Sequence, residues 1–372
     1  MKLKTYILVI VALLVASCQK VVEFDVDQIP SQMVLNSLPS DGNRMFVNFS
    51  YSRFFLDTNS GAGISKANMR LTVMNGLGTA VYTPDSLSRN NYFFPYTPAG
   101  GDSLQMEITV GESVVKAGTK VPKALQTANF QTMNTWEMGL SAGSDTVLNL
   151  CIISLDLSDY ADEENYYYIH LTEKDSGSRF SQLRQEFDTI DTVYNNIMFM
   201  CMDQNLTGSG ALISAPMVQL PQGYSVYDRI ICNDRNLNGA TKRISIVLPV
   251  LVDTNEVRDF KHEFVLHIES VRPERVKYLM DVATATSLTQ MFAEPAGIYS
   301  NVLIDGKQGL GLFSGVSHQK FEFKIEPWPY PENLNSGAKN QSFPQIYEAA
   351  REMYRINRQR CRRQDAKKVW SC

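Results

Sequence analysis

No apolar run in this chain is long enough to cross a bilayer. A spanning helix needs roughly 20 apolar residues. The run at 6–15 stops well short, and the longest later one, 244–252, contains Pro249 and has the length of a strand. Histidine is scarce, with four in 372 residues. His262 and His267 flank a segment that superficially resembles a zinc-protease helix, but their spacing is i, i+5 where that motif needs i, i+4. The intervening Phe264-Val265-Leu266 favours a strand, and five residues along a strand point two rings to opposite faces. His170 and His318 have no ligand partner nearby in sequence. A Gly-x-Ser-x-Gly nucleophile elbow is not expected in the chain. The glycines of Gly306-Lys307-Gln308-Gly309-Leu310-Gly311 lack the strand-to-helix setting of a phosphate loop. The chain carries a net charge of −4, so it has no overall basic footprint, and nucleic acid is not an expected partner.

The most informative residue present is Cys18. Lys2 and Lys4 precede the short apolar run, and Ala16-Ser17-Cys18 closes it. That is the pattern of a secretion signal, residues 1–17, whose removal leaves a cysteine at the new N-terminus. Such a thiol accepts a diacylglycerol and the freed amine a further acyl chain, such as palmitate. Each buried methylene contributes about 0.8 kcal/mol, so two or three chains hold a membrane durably where one does not. The expectation is lipidation at Cys18 and an outer-membrane, lipid-anchored location. The other five cysteines are widely spaced and odd in number, which does not describe a disulfide scaffold or a zinc site. Cys201–Cys232 and Cys361–Cys372 are candidate pairs, and buried single thiols are the alternative for Cys151, Cys201 and Cys232.

Alternating apolar and polar residues separated by turn signals predict a mainly β fold. A lipidated tether at 18–32 leads into an immunoglobulin-like β-sandwich at 33–122, with turns at Ser40-Asp41-Gly42, Asn75-Gly76 and Gly100-Gly101-Asp102. Residues 123–145 read as a linker. A larger β-rich domain follows at 146–326, with one or two helices in all. One helix is expected near 273–287, opened by Pro273, with Val276, Leu279, Met280 and Ala283 at helical spacing and Lys277 paired to Asp281. Residues 327–372 form a Pro-rich connection and a basic helical tail. Residues 351–372 hold eight Lys/Arg against Glu352 and Asp365.

Two clusters have residue types suited to binding. Asp234, Asn236 and Asn238, followed by Gly239, match the first half of an EF-hand calcium loop, but Ser245 stands where the closing Glu belongs. An Asx-rich turn fits better, with calcium as the candidate ligand if distant acids complete the site. Asp156, Asp159, Asp162, Glu163 and Glu164 form the densest acid group. Among aromatics, Trp136, Tyr166, Tyr168 and Trp328 are candidate ligand contacts, with packing as the alternative role. No cofactor is indicated apart from that calcium.

Several segments carry a resemblance. These are Cys18, residues 30–34 and 67–73, Asn165-Tyr166-Tyr167-Tyr168-Ile169, the turn from Asn233-Asp234 to Asn238-Gly239, Glu294-Pro295, Ile298-Tyr299-Ser300-Asn301-Val302, and Gly309-Leu310-Gly311-Leu312-Phe313. Together they resemble an uncharacterised family of Bacteroidota outer-membrane lipoproteins encoded beside TonB-dependent receptors. The basic tail after Pro331 departs from that pattern. The resemblance implies an accessory or ligand-binding component of a TonB-dependent nutrient-uptake system, with a β-barrel receptor and membrane lipid as partners. It carries no catalytic residues. Two other readings stay open: a surface hydrolase acting on glycan or peptide through the acids at 156–164, and a structural adhesin-like subunit.

Overall fold

The computed structural model describes residues 31–52, 64, 66–138, 146–161, 163–175, 178–181, 186–189, 193–201, 203–207, 211–213, 218–219, 225–253, 262–285 and 297–325. The fold is mainly β. Strands β1 (Met33–Ser37), β2 (Phe46–Tyr51), β3 (Asn68–Asn75), β4 (Gly78–Tyr82), β5 (Ser86–Ser88), β6 (Asn91–Phe93), β7 (Ser103–Val110) and β8 (Ser113–Lys120) come first. Next are β9 (Gln126–Met138), β10 (Thr146–Ser158), β11 (Tyr166–Asp175), the hairpin β12 (Ser178–Ser181) and β13 (Glu186–Thr189), β14 (Val193–Ile197) and β15 (Phe199–Met200). A short helix, α1 (Gln204–Thr207), precedes β16 (Ala211–Ile213), β17 (Val218–Gln219), β18 (Ser225–Tyr227) and β19 (Arg229–Asn233). Long strands β20 (Thr241–Asp253) and β21 (His262–Val271) lead into helix α2 (Pro273–Ala285). The described chain closes with β22 (Leu303–Ile304), β23 (Lys307–Gln308), β24 (Leu310–Phe313) and β25 (Val316–Ile325).

Period-two alternation builds the first sandwich. In β3, Met69, Leu71 and Val73 are buried while Arg70 is exposed; in β7, Leu104, Met106 and Ile108 are buried. These face Leu35, Val47, Phe49, Tyr92 and Phe94 of the opposing sheet. Fully burying one such side chain contributes about 1.5–3 kcal/mol. The two sheets run β24-β1-β2-β6-β5 and β23-β22-β8-β7-β3-β4. Three of these strands come from the far end of the chain. Residues 303–313, read from sequence as part of the 146–326 unit, instead complete the first sandwich. β24 lies parallel to β1, and β22 pairs with β8. β22 and β23 are joined by Asp305-Gly306, both at positive φ, as a tight hairpin turn of the primed type requires.

Gly311 makes this return feasible. It sits opposite Leu35 at φ +112, and a Cβ there would lie 2.0 Å from the Leu35 carbonyl oxygen. Gly315, where the chain leaves the first sandwich, is similarly close to Lys120, 2.4 Å from its carbonyl oxygen to a hypothetical Cβ. The chain then crosses without a break into β25. Val316 N–H donates to the Pro39 carbonyl at 2.8 Å, and Leu125 N–H to the Ser317 hydroxyl at 3.1 Å.

The second sandwich packs sheet β17-β18-β15-β20-β10-β9 against β16-β19-β11-β21-β25. Ile153, Leu155, Leu157, Ile244, Ile246 and Leu248 meet Tyr167, Ile169, Leu171, Phe264, Leu266 and Ile268 in its core. Residues 126–138, assigned from sequence to a linker, form β9 instead. This strand pairs with β10 along nearly its whole length, interrupted by a bulge at Asn129 with φ 51. Among its described side chains, those of 126–134, only the half-buried Phe130 packs on the core, as suits an edge strand of polar composition. Cys151, Cys201 and Cys232 are buried free thiols, the alternative to the candidate Cys201–Cys232 pair, and burial pushes each thiol up to about 12.

Helix α2 begins at Pro273, the expected position, and covers one end of the second sandwich's outer face. Val276 and Leu279 pack on Tyr166, Tyr168, Ile231, Val271 and Val316, whereas Met280 of the predicted stripe is 40% exposed. The expected Lys277–Asp281 pairing is replaced by a joint grip on Tyr299. Asp281 accepts its N–H at 2.7 Å, and Lys277 lies over its ring. Residues 18–30 of the 18–32 tether and the tail at 327–372 lie outside the described residues.

Two glycine substitutions separate strain from collision. Gly42 has φ +75 with nothing within 4 Å of a Cβ, so Gly42→Ala should cost about 1–2 kcal/mol, the left-handed backbone penalty alone. Gly311→Ala adds a backbone collision and should cost at least about 2 kcal/mol more, read from urea unfolding midpoints. Equal midpoints for the two variants would refute the close approach of β24 to β1.

Candidate functional site

Three polar features stand out: a groove on the first sandwich, a knot of acids between loops, and a row of histidines on the second sandwich. The groove lies on the solvent face of the β22-β8-β7-β3 sheet. Register places Arg70, Glu107, Lys116 and Leu303 in one cross-strand line, and Thr72, Gln105 and Gly118 in the next, with Asn301 at its end. These residues border a cavity of about 500 Å³. Lys116 Nζ is 3.2 Å from Glu107 Oε2. Arg70 is exposed and has no ion-pair or hydrogen-bond partner among the described residues. Gly118 leaves the middle of the groove without a side chain. Asn301 is fixed as a wall, accepting from Phe313 N–H at 3.0 Å and donating to the Phe313 carbonyl at 2.7 Å and the Gly118 carbonyl at 3.3 Å.

The acid loop and the Asp234 turn, 69 residues apart in sequence, are tied together. Asp159 accepts from Gly239 N–H at 3.0 Å, from Asn165 Nδ2 at 3.1 Å and from the Tyr167 hydroxyl. Asp234 accepts Asn165 N–H at 2.8 Å, and Asn165's carbonyl accepts Asp234 N–H at 3.0 Å. Asn233 caps a 3-10 turn, Asp234–Asn236, by accepting Arg235 N–H. Gly239 at φ +68 closes it, and a Cβ there would meet Ala161 at 2.6 Å. The two buried carboxylates are thus taken up by main-chain amides, the Asn165 side chain and the Tyr167 hydroxyl, and Asn238 is exposed. The side chains of Asn236 and Asp162 lie outside the described residues. Among the described residues, no group of three His, Cys, Asp or Glu is arranged to hold a metal. Burial raises the Asp234 carboxyl, partly opposed by the Asn165 N–H. The remaining described acids of this group are also paired: Asp156 with Arg243, Glu163 with Lys120, and Glu164 with the Tyr166 hydroxyl.

The histidine row was not legible in the sequence. His170 of β11 stands directly opposite His267 of β21, and their rings stack at 4.4 Å, 4° from parallel. His318 of β25 continues the row at 5.2 Å, and His267 Nδ1 and His318 Nε2 are 3.1 Å apart. Thr172 Oγ1 holds His267 Nε2 at 2.9 Å. Tyr168 extends the stack beyond His170, with Arg275 over its ring and Glu269 paired to Arg275 at 2.7 Å. Desolvation, followed by the neighbouring histidines and cations, pulls His170 down to about 3 and His267 and His318 to about 4. The row is neutral at pH 7, and its bases are too weak for general-base catalysis there.

Of the aromatic candidates, Tyr166 and Tyr168 pack under α2. Trp136 lies in β9 opposite Asn149, with its side chain outside the described residues, as are Trp328 and Cys18. Against the expectation of none, Gly139-Leu140-Ser141-Ala142-Gly143 does spell the Gly-x-Ser-x-Gly pattern. It falls outside the described residues between the antiparallel partners β9 and β10, not between a strand and a helix as an elbow requires.

Two expectations follow. Asp159→Ala removes an acceptor shared by three donors, two of them buried, and should destabilise by about 2–3 kcal/mol in chemical unfolding. The histidines have folded pKa values below the unfolded 6.5, so the unfolded chain binds more protons between pH 6.5 and 4. Their stabilising effect is complete above pH 6.5 and is lost as pH falls toward 4, by at most about 1.4 kcal/mol per pH unit for each ring. His318→Gln should flatten that slope in unfolding measured from pH 7 to 4.5; an unchanged slope refutes the assignment.

A search of the curated proteins finds no match. Residues 19–322 match the model of a domain of unknown function, DUF4249, which spans both sandwiches, and the chain belongs to that family.

Proposed function

We propose that this chain is an exported lipoprotein, held at the outer membrane by acyl chains on Cys18, and that it serves as an accessory or ligand-binding component of a TonB-dependent nutrient-uptake system. The observation that carries the reading is the signal pattern ending in Ala16-Ser17-Cys18. No helix among the described residues is long and apolar enough to span a membrane, which is compatible with an acyl anchor as the means of attachment. The body supports binding better than catalysis. Its described loop acids are engaged by cations, hydroxyls or main-chain amides, while the groove bordered by Arg70, Gln105 and Lys116 is open to solvent. A β-barrel receptor is the partner this reading names.

Cys18→Ala should shift the protein from the detergent-extracted membrane fraction to the aqueous fraction. The mature wild-type N-terminus should carry acyl mass by mass spectrometry, and a β-barrel receptor should co-purify from solubilised membranes. An unmodified Cys18 in the native protein would sink the anchor.

A further inference from the structure

The groove on the first sandwich has a composition that selects a ligand class. One cross-strand line holds two cations and one carboxylate, so it carries one uncompensated positive charge. Glu107 is engaged by Lys116, and Arg70 is exposed without a partner among the described residues. Adjacent strands are about 4.8 Å apart, so the Arg70 and Lys116 backbones stand about 10 Å from each other, the span of a single sugar ring with its substituents. The second line supplies neutral hydrogen-bonding groups, Thr72 and Gln105, suited to hydroxyls. Leu303, 46% exposed, adds an apolar patch at the rim, and Gly118 leaves the floor low enough for a ring to lie flat. A guanidinium presents parallel N–H donors that match a carboxylate in two-pronged fashion.

We propose that this groove binds a carboxylated saccharide, with the sugar's carboxylate on Arg70 and its hydroxyls on Thr72, Gln105 and Lys116. The site deepens the binding-module reading, which it presupposes only in part: it is tested on the isolated protein, so a negative result leaves the Cys18 anchor standing, and loss of the anchor leaves the groove standing.

The test is titration of the purified full-length protein with galacturonate, monitored by amide NMR shifts and calorimetry, beside galactose, acetate and inorganic phosphate as separate probes. Galacturonate should move the amides of residues 70–72, 105–107 and 116–118 in a saturable way. Galactose and acetate should each bind at least about tenfold more weakly, because each supplies half of the recognised chemistry. Arg70→Gln, at an exposed position, should weaken galacturonate binding about tenfold or more, while leaving galactose unchanged. Gly118→Val fills the floor. A Cβ at Gly118 meets nothing closer than 3.7 Å, so its melting temperature should be kept while binding is lost. Galactose binding as tightly as galacturonate would overturn the acidic class. Acetate or phosphate reproducing the shifts at equal affinity would reduce the site to an adventitious ion only. No saturable shift with any probe, or full binding by Gly118→Val, would remove the site altogether.

Discussion

The architecture depends on one close approach of two backbones. β24 lies beside β1 with Gly311 against the Leu35 carbonyl, a spacing that excludes any side chain at that position. That contact returns the chain to its own beginning after the long excursion from β9 to α2 that contains the second sandwich. Closing so long a loop is entropically unfavourable, though the cost grows only logarithmically with length. It is offset by a completed sheet. β1 would otherwise present an open edge, and Val302 and Phe313 would not reach the core of the first sandwich. The same return carries β22 onto β8, which sets Leu303 and Asn301 at the border of the groove. The groove is therefore a product of the closure, not of the first 120 residues alone.

The junction between the sandwiches is continuous and polar. Val316 follows Gly315 directly into β25, so a single length of chain ends one sheet and begins the edge of another. Around it Thr119 donates to Glu274 at 2.8 Å and accepts from Gly315 N–H at 2.8 Å, while Lys120 meets Glu163 at 2.8 Å. Glu163 belongs to the same loop as Asp159. One loop therefore ties β8, the Asp234 turn and the start of β11. Half-buried ion pairs of this kind add little net stability, because desolvation opposes attraction. Their directional hydrogen bonds instead fix how the elements at the junction meet.

Much of the strand pattern was legible because period-two alternation is local. β3, β7, β10, β20 and β21 each carry their own evidence in a handful of residues. Helix α2 announced itself through Pro273 and its apolar spacing, yet the stripe was read one position too wide, since Met280 faces solvent. β9 was missed because an edge strand needs few apolar residues, so its composition resembled a linker. The return of residues 303–313 was hidden for a different reason. Leu312 N–H donates to the Asn36 side chain across 276 residues, and no local signal names a partner that distant. Glycines flanking Leu310 were visible, but their crowding against Leu35 and Ile304 was not.

The same distinction separates the two polar faces. Sequence shows His170, His267 and His318 as isolated residues, and only cross-strand register stacks them. Once stacked, His267 turns Nδ1 to His318 and Nε2 to Thr172, while the buried Nδ1 of His170 has no hydrogen-bond partner among the described residues. Such a row holds three rings in a setting where burial penalises protonation, which suits a structural layer. The first sandwich has the opposite arrangement. Arg70, Gln105 and Lys116 point outward from strands whose alternate residues form the core, so the rigidity of that core is passed to the groove without the groove being covered. A binding surface needs both properties at once, a fixed backbone and unclaimed side-chain donors, and among these two polar faces the groove is the one that combines them.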